Sequence, residues 1–213
     1  MTKKCILFDL DGTLTDSGEG IINCAIAALQ HFGLPIPGIT SMRSFVGPPL
    51  KDTFQKYGVP EDRLDEAVSV YRERYIPIGM YENHPYPGIW ELLERLRADG
   101  HRLFVATSKP EQMAVTILEH FGLAQYFERI CGATLDGSRD AKSAVIAYLL
   151  ESIGSVENAV MVGDTAFDVT GADVHGIPTI GVSWGFGELA DIKAAGPMAI
   201  AHTMDELYEL LTK

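Results

Sequence analysis

Six short apolar runs punctuate the chain, each bounded by turn residues or by a helical pattern. They lie at 4–8 (KCILF), 102–106 (RLFVA), 128–133 (ERICGA), 159–163 (AVMVG), 178–182 (PTIGV) and 198–202 (MAIAH). Continuous rather than alternating apolar runs of this length suit strands buried on both faces. Between the later runs apolar residues recur at helical spacing instead. This predicts helices over 88–99, 110–121, 140–153, 166–175 and 204–212, with Gly100, Gly122, Gly154 and Gly176 where C-terminal caps belong. Strand and helix in alternation predict an α/β fold: a doubly wound, mainly parallel sheet with a Rossmann-like core.

One interval breaks the rhythm. Residues 9–101 separate the first two strands, far more chain than one crossover helix needs. Within it, 17–80 carries only helical patterns: EGIINCAIAALQHFG, PLKDTFQKYG and EDRLDEAVSVYRERYI. We therefore expect a small all-helical domain at 17–80, inserted after the first strand into a core of 1–16 and 81–213. The stretches 15–20 and 80–88 (MYENHPYPG) serve as its linkers.

Composition narrows the functional classes. A net charge of −12 argues against binding a nucleic-acid polymer, which needs a basic stripe. There is no apolar run of about 18 residues, and MTKK is not followed by a signal-peptide core, so a cytoplasmic protein with no membrane segment is expected. Cys5, Cys24 and Cys131 are odd in number and lack a CxxC pair, which predicts buried thiols rather than disulfides or a zinc site. An enzyme this acidic that acts on anions needs local cations, from a metal or from a few placed lysines and arginines.

In an open α/β sheet ligands bind beyond the carboxyl ends of the strands. Asp9, Asp11 and Thr13 follow the first strand, Thr107 and Ser108 follow the second, and Asp164 with Asp168 follows AVMVG. On an extended segment Asp9 and Asp11 point to the same side, and Asp164 and Asp168 share a face if a helix has begun. Four carboxylates in one crevice repel unless protonated or neutralised. A hard divalent cation with oxygen ligands, Mg²⁺ by preference, answers that need, because no His/Cys cluster competes. Lys142 stands in the first turn of its predicted helix, where the helix dipole disfavours a cation, which marks it for function.

FDLDGTLTDS, FVATS, a lysine before a helix and VGDTAFD, in that order, resemble the four motifs of the haloacid dehalogenase-like phosphatases. The likeness spans essentially the whole chain, and 17–80 matches that family's small helical cap. The resemblance implies Asp9 as the nucleophile that forms an aspartyl-phosphate, and Asp11 as the acid that protonates the leaving oxygen and then activates water. It implies phosphate binding by Thr107, Ser108 and Lys142, and Mg²⁺ binding by Asp9, the Asp11 carbonyl and Asp164, with Asp168 in support. Lys109, directly after Thr107-Ser108, competes for the lysine role. Lys142 is preferred because LDGSRDAKSAVIAYLL resembles the family's 5′-nucleotidase-like branch. Asp11 argues against dehalogenation, since dehalogenating members lack the second aspartate, and Thr13 favours hydrolysis over mutase chemistry. The expected partner is a small phosphorylated metabolite, a nucleoside 5′-monophosphate ahead of phosphoglycolate, for a monomer or small homo-oligomer. In the cap, Arg43 and Lys51 are candidate substrate contacts, with Phe45, Phe54 and Tyr57 as stacking surfaces.

Two other motifs compete. As a calcium loop counted from Asp9, the sequence puts Leu14 and Gly20 where glycine and glutamate belong, and a strand precedes it where a helix should. GVSWG (181–185) spells the nucleophile elbow of a serine esterase, with Asp191 and His202 following Ser183 in triad order. Too little chain remains after Ser183 for the elements that normally carry the acid and the histidine. A glycine-rich strand-end turn is the simpler expectation there. Trp90 and Trp184 are expected to pack.

Overall fold

Cys5–Phe8 forms the first strand, β1, with all four residues buried, as a strand covered on both faces requires. The computed structural model describes residues 3–154 and 156–213. After β1 the chain passes through the two-residue strand β2 (Thr15–Asp16) into α1 (Gly18–His31), α2 (Ile39–Met42), α3 (Leu50–Lys56) and α4 (Leu64–Tyr75), and it returns through β3 (His84–Pro85). β2 and β3 pair with each other. Alternation then runs α5 (Ile89–Ala98), β4 (Arg102–Pro110), α6 (Glu111–His120), β5 (Arg129–Ala133), α7 (Lys142–Ile153) and β6 (Ala159–Gly163). It ends with α8 (Ala166–Asp173), β7 (Thr179–Val182), α9 (Leu189–Ala194), β8 (Ala199–Ala201) and α10 (Met204–Thr212).

Six of the strands form one sheet in the order β5-β4-β1-β6-β7-β8, and every pairing in it is parallel. The expected doubly wound α/β core is therefore present. The chain builds outward from β1 in one direction, then returns and builds outward from β6 in the other, so the order reverses between β1 and β6. One face of the sheet (Leu7, Phe104, Cys131, Met161) packs on α7 and α8 through Val145, Ile146, Leu149 and Ala172. The three cysteines are free and buried.

The chain divides into two compact units, Met1–Thr15 with Pro85–Lys213, and Asp16–His84. The second unit is helical and has a core of its own. Phe45 lies against Phe54 and stacks on Tyr57, and Phe54 meets Tyr71, which stacks on Tyr75. Phe45 and Phe54 are buried, which corrects their reading as stacking surfaces for a base: they fill this core. Lys51 is exposed and its Nζ lies 2.6 Å from Asp65 Oδ1, so it is tied within its own unit. Arg43 is exposed on a short 3₁₀ turn. None of the helices among the described residues is long and apolar enough to cross a membrane.

Candidate active site

The aspartates, threonines and lysines singled out around the strand ends all belong to the first unit, and they meet at the reversal between β1 and β6. Asp9 directly follows β1. Its Oδ1 accepts the Leu10 N–H at 2.7 Å and lies 2.9 Å from Lys142 Nζ, and the Thr107 side chain hydrogen-bonds the same carboxylate. Lys142 opens α7 and is buried. Besides Asp9, its ammonium reaches Asp168 Oδ1 at 2.8 Å and donates to the Ala106 carbonyl at 3.0 Å. The lysine that local helix preference disfavours thus sits between two buried carboxylates.

Asp164 follows β6. Its Oδ1 accepts from the Thr13 hydroxyl at 3.2 Å and its Oδ2 from the Phe186 N–H at 2.8 Å. Gly12 lies against the same carboxylate with φ of +80°, so a side chain there would be strained and would strike Asp164. Asp164 precedes α8, which starts at Ala166, so it does not share a helical face with Asp168. Asp168 is fully buried, and its Oδ2 accepts the Thr165 N–H at 3.0 Å and the Thr165 hydroxyl at 2.8 Å. Its Oδ1 faces Lys142 as an ion pair but, like Asp11 Oδ1, has no hydrogen-bond partner among the described residues.

Asp11 has a lysine partner of its own. Beyond Phe8 the strand ends and the loop folds back, with the N–H groups of Thr13, Leu14 and Thr15 all donating to the Leu10 carbonyl. The alternation that placed Asp11 beside Asp9 therefore stops. Oxygens of Asp9, Asp164 and Asp168 lie within 4.8 Å of one another, whereas the Asp11 carboxylate is not part of that group and sits 2.7 Å from Lys109 Nζ. Asp11 Oδ1 is buried and has no hydrogen-bond partner among the described residues. Lys109, read from sequence as a rival of Lys142, has a place of its own. β4 shifts register between Ala106 and Pro110, and this irregularity carries Thr107, half-buried Ser108 and Lys109 off the ladder at the sheet's carboxyl end. No hydrophobic pattern signals such a shift.

Electrostatics follow from the burial. Desolvation pushes the Asp164 carboxyl up to about 8, and the charges of Asp168 and Asp9 push the same way. Asp9 is also raised by burial, against the pull of Lys142. Burial alone would lower Lys142, but Asp168 and Asp9 more than offset it and hold the ammonium above its ordinary value. Three grouped carboxylates (Asp9, Asp164, Asp168) share one lysine, Lys142, leaving an excess of two negative charges when all are ionised, while Asp11 and Lys109 offset each other. An all-oxygen donor set with that excess fits a hard divalent cation.

Ser183 Oγ lies 2.8 Å from His202 Nδ1, but no hydrogen bond or ion pair joins Asp191 to His202 among the described residues, so the esterase triad lacks its acid. Trp184 packs against Tyr86 as expected, and its indole N–H also donates to the Thr13 carbonyl at 3.2 Å, a link to the site that the sequence reading missed.

A family model described as haloacid dehalogenase-like hydrolase matches residues 6–182. A Pseudomonas aeruginosa protein named 5′-nucleotidase is 44% identical over 97% of this chain and 94% of its own. A Mycobacterium tuberculosis protein named tyrosine-protein kinase PtkA is also 44% identical, over 98% of this chain and 72% of its own. A crystal structure described as a predicted phosphatase from Clostridium acetobutylicum superposes with a TM-score of 0.94 at 42% identity, covering 100% of this chain and 99% of that one.

Proposed function

Because the chain belongs to the haloacid dehalogenase-like hydrolases, we propose that it is a Mg²⁺-dependent phosphomonoesterase whose preferred substrate is a nucleoside 5′-monophosphate. The observation that carries this reading is the buried Lys142 ammonium, 2.9 Å from Asp9 and 2.8 Å from Asp168, beside Asp164 at the reversal of the sheet. Asp9 attacks phosphorus as the carboxylate while the bond to the leaving oxygen breaks, giving an aspartyl-phosphate. Asp11 delivers the proton to that oxygen. It then takes a proton from the water that attacks phosphorus, so inorganic phosphate leaves and Asp9 is restored. Thr107, Ser108 and Lys142 hold the phosphoryl oxygens, and Lys109 orients Asp11. Asp9, the Asp11 carbonyl and Asp164 would hold Mg²⁺, which supplies charge neutralisation at the phosphoryl group. Asp168, whose Oδ1 faces Lys142 and whose Oδ2 accepts from Thr165, supports both the lysine and the metal site. Substrate choice belongs to the helical insert acting as a cap, and the relative named 5′-nucleotidase supports the nucleotide.

The test is phosphate release from a panel of nucleoside monophosphates, phosphoglycolate and sugar phosphates, with Mg²⁺ and with EDTA. Wild type should release phosphate only with Mg²⁺, fastest from a nucleotide, and Asp9→Asn should be inactive. Turnover by Asp9→Asn, or indifference to EDTA, refutes the chemistry. Phosphoglycolate as the best substrate refutes only the substrate class. Because a relative named as a tyrosine kinase is equally similar, one arm offers ATP and reads phosphotyrosine. Label there, without phosphate release from any monoester, would replace hydrolysis with transfer to tyrosine.

A further inference from the structure

Asp164 is the carboxylate whose two oxygens are both held by neutral donors, Thr13 Oγ1 on Oδ1 and the Phe186 N–H on Oδ2. Neutral hydrogen-bond donors matter at this position. Asp164 has Asp9 and Asp168 as neighbours, and in their absence like-charge repulsion would turn the carboxylate away from the cluster. Phe186 belongs to Ser183–Gly187, the loop that leaves β7 and that the phosphatase motifs do not account for. Three residues of this loop, Gly185, Phe186 and Gly187, touch Asp164, and Trp184 and Ser183 brace them. The Trp184 indole N–H donates at 3.2 Å to the carbonyl of Thr13, the residue whose hydroxyl holds Oδ1. Gly185 lies against the Asp164 side chain and Gly187 against its carbonyl, so close that a β-carbon at either would collide with Asp164. The loop's first residue is pinned on two sides, with the Ser183 N–H donating to the Ala201 carbonyl at 3.0 Å and Ser183 Oγ 2.8 Å from His202 Nδ1. The esterase-like spelling GVSWG thus has a local reason: serine to anchor, tryptophan to reach Thr13, glycine to let the backbone touch Asp164.

The geometry points to Ser183–Gly187 as a positioning element that presets the Asp164 carboxylate for the metal, with Trp184 as the residue that locks it. This rests on the reading that Asp164 is a metal ligand. Trp184→Phe is the informative variant, because it keeps an aromatic ring against Tyr86 while removing the N–H donor with the rest of the indole. Mg²⁺ is titrated without substrate by calorimetry and by thermal unfolding, and p-nitrophenyl phosphate rates are followed across the same Mg²⁺ range. The expected result is a half-saturating Mg²⁺ concentration raised about tenfold, the scale of one lost outer-shell partner. The rate at saturating Mg²⁺ and the unfolding temperature in EDTA should stay near wild type. An unchanged Mg²⁺ midpoint overturns the proposal, as does a loss of rate and EDTA stability that excess Mg²⁺ does not rescue. A wild type that shows no Mg²⁺ response removes the metal reading itself and the proposal with it. Should Trp184→Phe fail to fold, Ser183→Ala, which cuts only the tie to His202, is expected to raise the same midpoint by a smaller factor, and an unchanged midpoint there counts against the proposal equally.

Discussion

Lys142 and Lys109 separate two kinds of buried ion pair. The Lys142 ammonium neutralises Asp9 and Asp168 together, and Asp168 has no exposure to water at all. Removing the lysine leaves two carboxylates buried and uncompensated, a loss of about 3–5 kcal/mol for a buried pair broken from one side. Lys142→Met should therefore lower kcat/KM for p-nitrophenyl phosphate by a factor on the order of 10² to 10³, the scale of one lost charge-stabilising donor. It should also lower the unfolding temperature in EDTA. Lys109 pairs with Asp11 alone, so its loss leaves one carboxylate uncompensated rather than two. Lys109→Met should then cost less on both measures, with its kinetic loss concentrated in kcat if it orients a proton donor. Steady-state kinetics and thermal unfolding of the two variants decide this, and a larger loss on both at Lys109 would reverse the assignment of the phosphate-binding lysine.

The elements differ in how far the sequence exposed them. β1, β6 and β7 were legible because a strand buried on both faces has nothing but apolar residues to show. The longer helices of the α/β core were legible from their periodicity, within two residues at either end. α2 and α9 escaped because elements of four and six residues leave almost no period to read. The register shift in β4 escaped because it depends on the neighbouring strand, and with it went the separate positions of Thr107 and Lys109. Asp9 and Asp164 could be found because polar residues at strand ends contrast sharply with the runs before them, and Lys142 because a cation in a helix's first turn runs against the dipole. The partner of Asp11 could not, since the turn after Phe8 set its direction. In the helical insert the reading failed for a different reason. An aromatic residue in a helix looks alike whether it lines a site or fills a core, and Phe54 fills one. Phe54→Ala should accordingly destabilise the protein by about 3–5 kcal/mol and leave the ranking of substrates unchanged. Arg43→Ala should do the opposite, changing the ranking while p-nitrophenyl phosphate turnover stays within about tenfold. Unfolding curves and the substrate panel on both variants test this together. A changed ranking in Phe54→Ala, or a uniform loss in Arg43→Ala, would take substrate selection away from the exposed arginine.

At the scale of the whole molecule, a chain of net charge −12 keeps its most crowded acids where its sheet reverses, and this makes stability depend on pH and metal together. In the folded state burial and the neighbouring Asp168 and Asp9 hold the Asp164 proton up to about pH 8, whereas a free carboxyl of this kind releases it near 3.8. Between those values the folded chain binds more protons than the unfolded one. The stabilising contribution is thus complete below the lower value and is lost as pH rises through the upper one, at up to about 1.4 kcal/mol per pH unit for a single proton. Asp9, raised in the same direction, adds to the trend. In EDTA the unfolding temperature should therefore fall from pH 5 to pH 8, against the plateau expected of a protein whose acids are all paired. On the proposed reading Mg²⁺ should reverse the linkage, because it would bind the ionised carboxylates of the folded state alone and stabilise by about 2.7 kcal/mol at a hundredfold excess over its Kd. Its effect should be small at pH 5, where protons compete, and large at pH 8, so that the saturated protein shows a flatter profile. Self-repulsion of an acidic chain also grows with pH, and Asp164→Asn separates the two contributions. That variant keeps the overall charge trend but loses the buried titration, so its EDTA profile should be flatter than wild type and its response to Mg²⁺ at pH 8 weaker. A wild-type profile in EDTA that rises across this range, or an Asp164→Asn variant that follows wild type with and without Mg²⁺, would show that the crowded acids are not where the chain meets its metal.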